Sequence, residues 1–176
     1  RRAIRFLVYR DRSRNEIIRY LDGKKFSENA VSDTVNFLEN NDYINDERFA
    51  IHFGKSRIEK KNIGKLRLEL ELKNKGLEKK LIKKTIELLY EDYDENKIAM
   101  TCAKKKLTTY SSSNGKKDRR RVASFLERKG FPSGIIYKVV TQLVPHTPND
   151  DLISLFGSPN KNPEVLDSQT TKTIQG

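Results

Sequence analysis

The chain repeats itself about every fifty residues, and no other feature constrains its fold as tightly. Three segments superimpose when shifted by 51 and then by 54 positions. Ile17, Leu21, Phe26, Val31, Val35 and Leu38 fall on Leu68, Leu72, Leu77, Ile82, Ile86 and Leu89. These fall in turn on Val122, Leu126, Phe131, Ile136, Val140 and Leu143. Lys24, Lys75 and Lys129 coincide, as do Gly76 and Gly130, where the first copy has Lys25. A fixed period of this length marks supersecondary units that bury too little apolar surface alone and must pack in series.

Each copy reads as helices. The steps 17→21, 31→35 and 35→38 stack side chains on one helix face. Ser13 followed by Glu16 is a capping-box pattern, with Gly64 and Asp118 at the matching positions of the other copies. Gly76 and Gly130 stand where a helix stops, and Ser27 and Pro132 where the next begins. An extra helix precedes the pair in the second copy (about Asp46 to Lys61) and in the third (about Asp94 to Leu107), with Ala3, Ile4 and Leu7 as its remnant in the first. No alternating run argues for a sheet. The expected fold is all-α: three tandem three-helix repeats in an elongated, curved array. Repeat 1 covers 1–45 with a truncated first helix, repeat 2 covers 46–93, and repeat 3 covers 94–145 with an inserted polar loop at 108–115. After Pro145 the apolar period ends, and 146–176, with Pro148, Pro159 and Pro163, reads as a disordered tail.

Composition limits the function classes. Of 176 residues 34% are charged, with 36 Lys and Arg against 24 Asp and Glu, for a net charge of +12. By stretch the net charge is +1 over 1–50, +4 over 51–100, +8 over 101–150 and −1 over 151–176. A positive field rising along the chain attracts a polyanion or an acidic protein face. No stretch approaches the ~18 apolar residues of a membrane span. Cys102, His52 and His146 cannot assemble a His/Cys zinc site. Cys102 alone permits no internal disulfide and fits a reducing, cytoplasmic setting. Arg1 rather than methionine opens the chain, so what precedes it is open.

Phosphate-loop, nucleophile-elbow and dinucleotide-binding patterns are absent, and no cofactor is expected. Glu69, Glu71, Asp92, Asp94 and Glu95 alternate with Lys-rich helix surface, as solvated ion pairs do. The positive signal is basic. Lys104, Lys105, Lys106, Lys116, Lys117, Arg119, Arg120 and Arg121 flank the polar loop, with Tyr110 the nearest aromatic. Arg121 aligns with Arg67 and Glu16 near the core-flanking face, leaving Arg119 and Arg120 as the more exposed pair. Arg57, ending one helix, and Lys65, starting the next, should meet at one turn as a positive site that Arg119 and Arg120 continue. Arginine's fork suits phosphate or carboxylate.

Residues 10–89 also carry a series of motifs: Arg10-x-Arg12-Ser13-x-x-Glu16, Leu21, Lys24-Lys25-Phe26, then Tyr43-Ile44-Asn45-Asp46 with Phe49 and Ala50. Ser56-Arg57, Gly64-Lys65, Leu72 and Lys75-Gly76-Leu77 follow. This run resembles the RecX family, regulators of the RecA strand-exchange recombinase. The departures are Ile17 for leucine, and Lys25 and Asp42 where the family has glycine, so local turn geometry is at issue there. Read from the residues, the middle motif is architectural. Tyr43 and Ile44 close the first core, Asn45 or Asp46 caps the next helix, and Phe49 starts its apolar face.

The resemblance implies a non-enzymatic, monomeric cytoplasmic modulator of recombination and repair. It implies a partner, a RecA-type recombinase filament along whose groove the protein lies, limiting its growth or ATPase. The alternative is a stand-alone basic helical protein that binds the DNA phosphate backbone directly. An enzyme with a carboxylate site is a third, weaker reading.

Overall fold

The computed structural model describes residues 1–109 and 115–144. Among them every regular element is a helix: α1 (Arg2–Val8), α2 (Arg14–Asp22), α3 (Glu28–Asn40), α4 (Asp46–Lys61), α5 (Lys65–Asn74), α6 (Lys79–Asp92), α7 (Glu95–Leu107), α8 (Gly115–Arg128) and α9 (Ser133–Leu143). They form three three-helix units in series, as the repeat requires. Residues 110–114 of the expected polar loop, with Tyr110, and the expected tail at 146–176 lie outside the described residues.

Capping residues set the helix starts. Ser13 and Glu16 form a complete capping box on α2. Ser27, Asn45 and Asp94 each accept a backbone N–H from the first turn that follows. Gly64 precedes α5 with no side-chain cap. Asp118 differs from expectation: α8 begins at Gly115, so Asp118 lies inside its first turn.

Each unit closes its own core. Ala3, Ile17, Leu21, Val31, Val35, Leu38 and Ile44 make the first. Phe49, Ala50, Ile58, Ile63, Leu68, Leu72, Leu77, Ile82 and Leu89 make the second. Ala99, Cys102, Val122, Leu126, Phe131, Ile136 and Val140 anchor the third. Ile98 touches both the second and the third.

Two core assignments fail in unit 1. Phe26 shares a slot with Leu77 and Phe131, yet it is 43% exposed against 6% and 2%. In units 2 and 3 the buried alanine of the first helix, Ala50 or Ala99, follows an apolar Phe49 or Ile98. Before Ala3 stands exposed Arg2, so a groove lined by Ala3, Leu21, Phe26 and Ala30 stays open. Tyr43 does not close the first core. Ile44, 4% exposed, does so, and Tyr43 stacks outside on Phe37 at 6.3 Å between ring centroids. Lys25 and Asp42 both hold the left-handed conformation that glycine adopts most easily, with φ of 61° and 54°.

The densest helix packing falls within units. Units meet at two narrow joints of one design. The turn between the second and third helices of one unit sits on the N-terminus of the second helix of the unit before it. At the first joint the Ser13 hydroxyl donates to the Lys75 carbonyl (2.7 Å) and Gly76 faces Asn15. At the second, Gly64 N donates to Lys129 O (2.9 Å) and Leu66 N to Gly130 O (3.1 Å). Gly76 and Gly130 have φ of +78° and +81°, and a Cβ at Gly130 would overlap the Arg67 backbone. A carboxylate closes each joint. Asp46, first residue of α4, accepts Arg14 N (2.7 Å), and Glu95, first residue of α7, accepts Lys65 N (2.8 Å). These donors are N–H groups that helix starts leave without intrahelical partners.

Candidate partner-binding surface

The candidate basic residues of unit 2 come together through a carboxylate. Arg57 Nε and Arg67 Nε lie 2.8 and 2.9 Å from opposite oxygens of Glu71. Two guanidinium groups on one carboxylate leave a net positive site. The Arg57 guanidinium also lies 4.9 Å from the centre of the Phe53 ring, and Lys75 Nζ lies 5.6 Å from the same ring. Lys75 reaches across the first joint to Glu16 (2.7 Å), which also pairs with Arg10 (2.7 Å). Arg10, Glu16, Lys75, Phe53, Arg57, Glu71 and Arg67 thus form one continuous band, and Arg67 ends it at the second joint beside Gly130.

Burial alone would raise the pKa of Glu16. The hydrogen bonds from Arg10 and Lys75, and their charges, outweigh it and bring it down to about 2. Glu95 and Asp46 shift the other way: burial dominates and raises both, against the N–H groups of Lys65 and Arg14.

Lys65 has other partners than the Glu71 and Phe53 that hold Arg57. Its backbone N–H serves the second joint, and its ammonium lies 5.2 Å from the Tyr90 ring. In unit 3, Lys106 and Lys129 each approach the Phe125 ring at 5.7 Å. Lys104 and Lys105 are exposed at the end of α7, and Lys116, Lys117 and Arg120 at the start of α8. Arg121 is exposed as well, 3.6 Å from Asp118.

Arg119 overturns an expectation. It is 1% exposed, and its Nη1 donates to the Val144 carbonyl (3.3 Å). Residues 119, 122 and 126 are spaced i, i+3, i+7, so Arg119 lies on the stripe that buries Val122 and Leu126. It belongs to the third core and not to an exposed surface.

Arg10, Phe53, Lys75 and Lys129 were not among the candidates. The signal was in the repeat. Lys24, Lys75 and Lys129 share a slot, and each lies within 6 Å of an aromatic ring, Tyr20, Phe53 or Phe125. Arg57 and Lys106 coincide when α4 and α7 are superimposed at an offset of 49.

Three of the carboxylates singled out in the sequence have structural partners: Glu71 holds two arginines, Asp94 caps α7 and Glu95 closes a joint. Among the described residues no group of three or more His, Cys, Asp and Glu could hold a metal ion, and no helix is long and apolar enough to cross a membrane. Cys102 is buried, which raises its thiol pKa.

Comparison with known proteins follows the same three-part division. Family models for the first, second and third three-helix domains of RecX match residues 1–38, 45–86 and 92–140. The regulatory protein RecX of Chlorobium phaeobacteroides is 36% identical over 141 residues, 80% of this chain and 90% of that protein. That of Listeria monocytogenes is 30% identical over 174 residues, 99% of this chain, but the chain spans 61% of its length. The Oceanobacillus iheyensis relative is spanned to 52%. The crystal structure of RecX from Lactobacillus salivarius is similar with a TM-score of 0.70 at 26% identity, covering 80% of this chain and 91% of that one.

Proposed function

The chain belongs to the RecX family, and from that premise we propose that it is a non-enzymatic inhibitor of a RecA-type recombinase, binding as a monomer along the recombinase–DNA filament in the cytoplasm. The observation that carries the reading is the band of cations and rings from Arg10 to Arg67, which crosses the first joint and reaches the second. A surface running along several units suits an elongated partner better than a small ligand. Its charges are interleaved with Glu16 and Glu71, so it offers localised forks for acidic side chains rather than the unbroken positive field of a duplex binder. Exposed Lys104, Lys105, Lys116, Lys117 and Arg120 add a second basic area in unit 3, which can meet phosphates of the DNA inside the filament.

A salt series on two targets tests this. Binding is measured to recombinase filament on single-stranded DNA and to the same DNA bare. The proposal expects filament binding that persists at physiological salt, with bare-DNA binding weaker and collapsing between about 50 and 200 mM salt. Equal binding to both targets with one steep salt slope would favour the stand-alone DNA-binding reading.

A further inference from the structure

The two motif runs of unit 1 and its linker converge on one recess. Arg12, from the α1–α2 linker, lines it together with Asp11, Tyr43, Ile44, Asn45, Arg48 and Phe49. The recess is small and opens to solvent, with about 10 Å³ available, room for one oxygen-sized group.

Arg12 differs from the basic side chains around it. Arg10 pairs with Glu16, Arg14 with Glu39, Arg48 with Asp42, and His52 with Asp11, at 2.7 to 3.1 Å. Among the described residues Arg12 has no such partner. Its guanidinium lies 3.8 Å from the centre of the Phe6 ring, which is itself stacked on Tyr20, and its Nε is buried with no hydrogen bond. Burial, then the charge of Arg10, lower its pKa. A half-buried guanidinium with an unmet donor and a cation beside it is stabilised by one added anion.

The rim selects the anion. Asp11, in the lining, and Asp42, beside it, are exposed and interleaved with His52 and Arg48, and Asp46 and Glu47 follow. Such a rim repels a chain of phosphates but tolerates one carboxylate placed on one guanidinium. Next to the recess Phe37 and Tyr43, each 53% exposed, stack as an aromatic pair. Half-exposed rings of this kind bury an apolar side chain well.

We infer that the recess is a docking site for a protein partner's carboxylate side chain flanked by an apolar one. Arg12 takes the carboxylate, and the Phe37–Tyr43 pair takes the apolar neighbour. With the recombinase as that partner, the inference rests on the proposed function; the recess itself can be examined without it.

The experiment has two arms on the full chain. In the first, Arg12→Gln, Arg12→Lys and Tyr43→Ala are compared with wild type for filament binding, with helicity and melting temperature recorded. Arg12→Gln should weaken binding about tenfold or more, Arg12→Lys should recover only part of it, and Tyr43→Ala should cost roughly fivefold with an unchanged melting temperature. In the second arm, the Arg12 Nε–H resonance, assigned by its loss in Arg12→Lys, is followed by NMR. An acetylated Glu-Leu amide dipeptide is added at millimolar concentration, beside its Gln-Leu counterpart and a single-stranded oligonucleotide. A shift with Glu-Leu alone supports the site. No shift with Glu-Leu, a shift driven by the oligonucleotide, or Tyr43→Ala binding like wild type would each overturn it. If the wild-type chain binds no filament, the regulator reading fails, and the dipeptide arm still decides the recess.

Discussion

Replacing Gly130 with alanine should separate units 2 and 3. Gly130 has φ of +81°, which costs an L-residue about 1–2 kcal/mol. The added Cβ would also overlap the backbone N and Cα of Arg67, atoms held by α5 that cannot rotate away. The joint must therefore open, losing the bonds from Gly64 N and Leu66 N, each worth about 1 kcal/mol net. The combined loss is about 3–4 kcal/mol. Urea unfolding followed by helical circular dichroism measures the total, and hydrogen exchange at the Gly64 and Leu66 amides reads the joint itself. Both amides should exchange at least about tenfold faster in the variant, in line with a local opening free energy lowered by more than about 1.4 kcal/mol. A loss of only about 1–2 kcal/mol with both amides still protected would show that the backbone strain is real but that the joint does not depend on this approach.

Further expectations follow from the same geometry. Leu72 is fully buried, so Leu72→Ala should cost about 2–5 kcal/mol in urea unfolding; an unchanged midpoint would misplace the repeat register. Lys25 holds a left-handed conformation in an exposed turn, so Lys25→Gly should stabilise by about 1 kcal/mol in the same assay. Glu16, with a folded pKa of about 2 below its unfolded value, contributes stability that is present above the unfolded pKa and lost as pH falls toward 2, on the order of 3 kcal/mol. Glu16→Gln should flatten that acid limb of a pH–stability profile.

The sequence made the units legible because core slots recur: Leu21, Leu72 and Leu126 are each buried. It made helix starts legible where a side chain does the capping, as at Ser13, Ser27 and Asn45. The joints were hidden because most of their bonds use a backbone group on at least one side, and only Gly76 and Gly130 hint at them. Reading Arg119 as exposed took its charge over its spacing from Val122 and Leu126. Phe26 depends on what packs over it, and Arg2 in place of an apolar residue is visible only when α1 is set beside α4 and α7. The band on unit 2 was half found, through Arg57 and Arg67. Its remaining members come from three different helices and linkers, and distance along the chain conceals their contact.

The central claim is tested most directly by the DNA-dependent ATPase of a RecA-type recombinase with this chain titrated in, beside an Arg57→Glu, Arg67→Glu variant of verified helicity. The account predicts that ATP hydrolysis falls as wild-type chain is added at physiological salt, and that the double variant loses most of that effect. A recombinase ATPase indifferent to wild type, or inhibited equally by the variant, would contradict it.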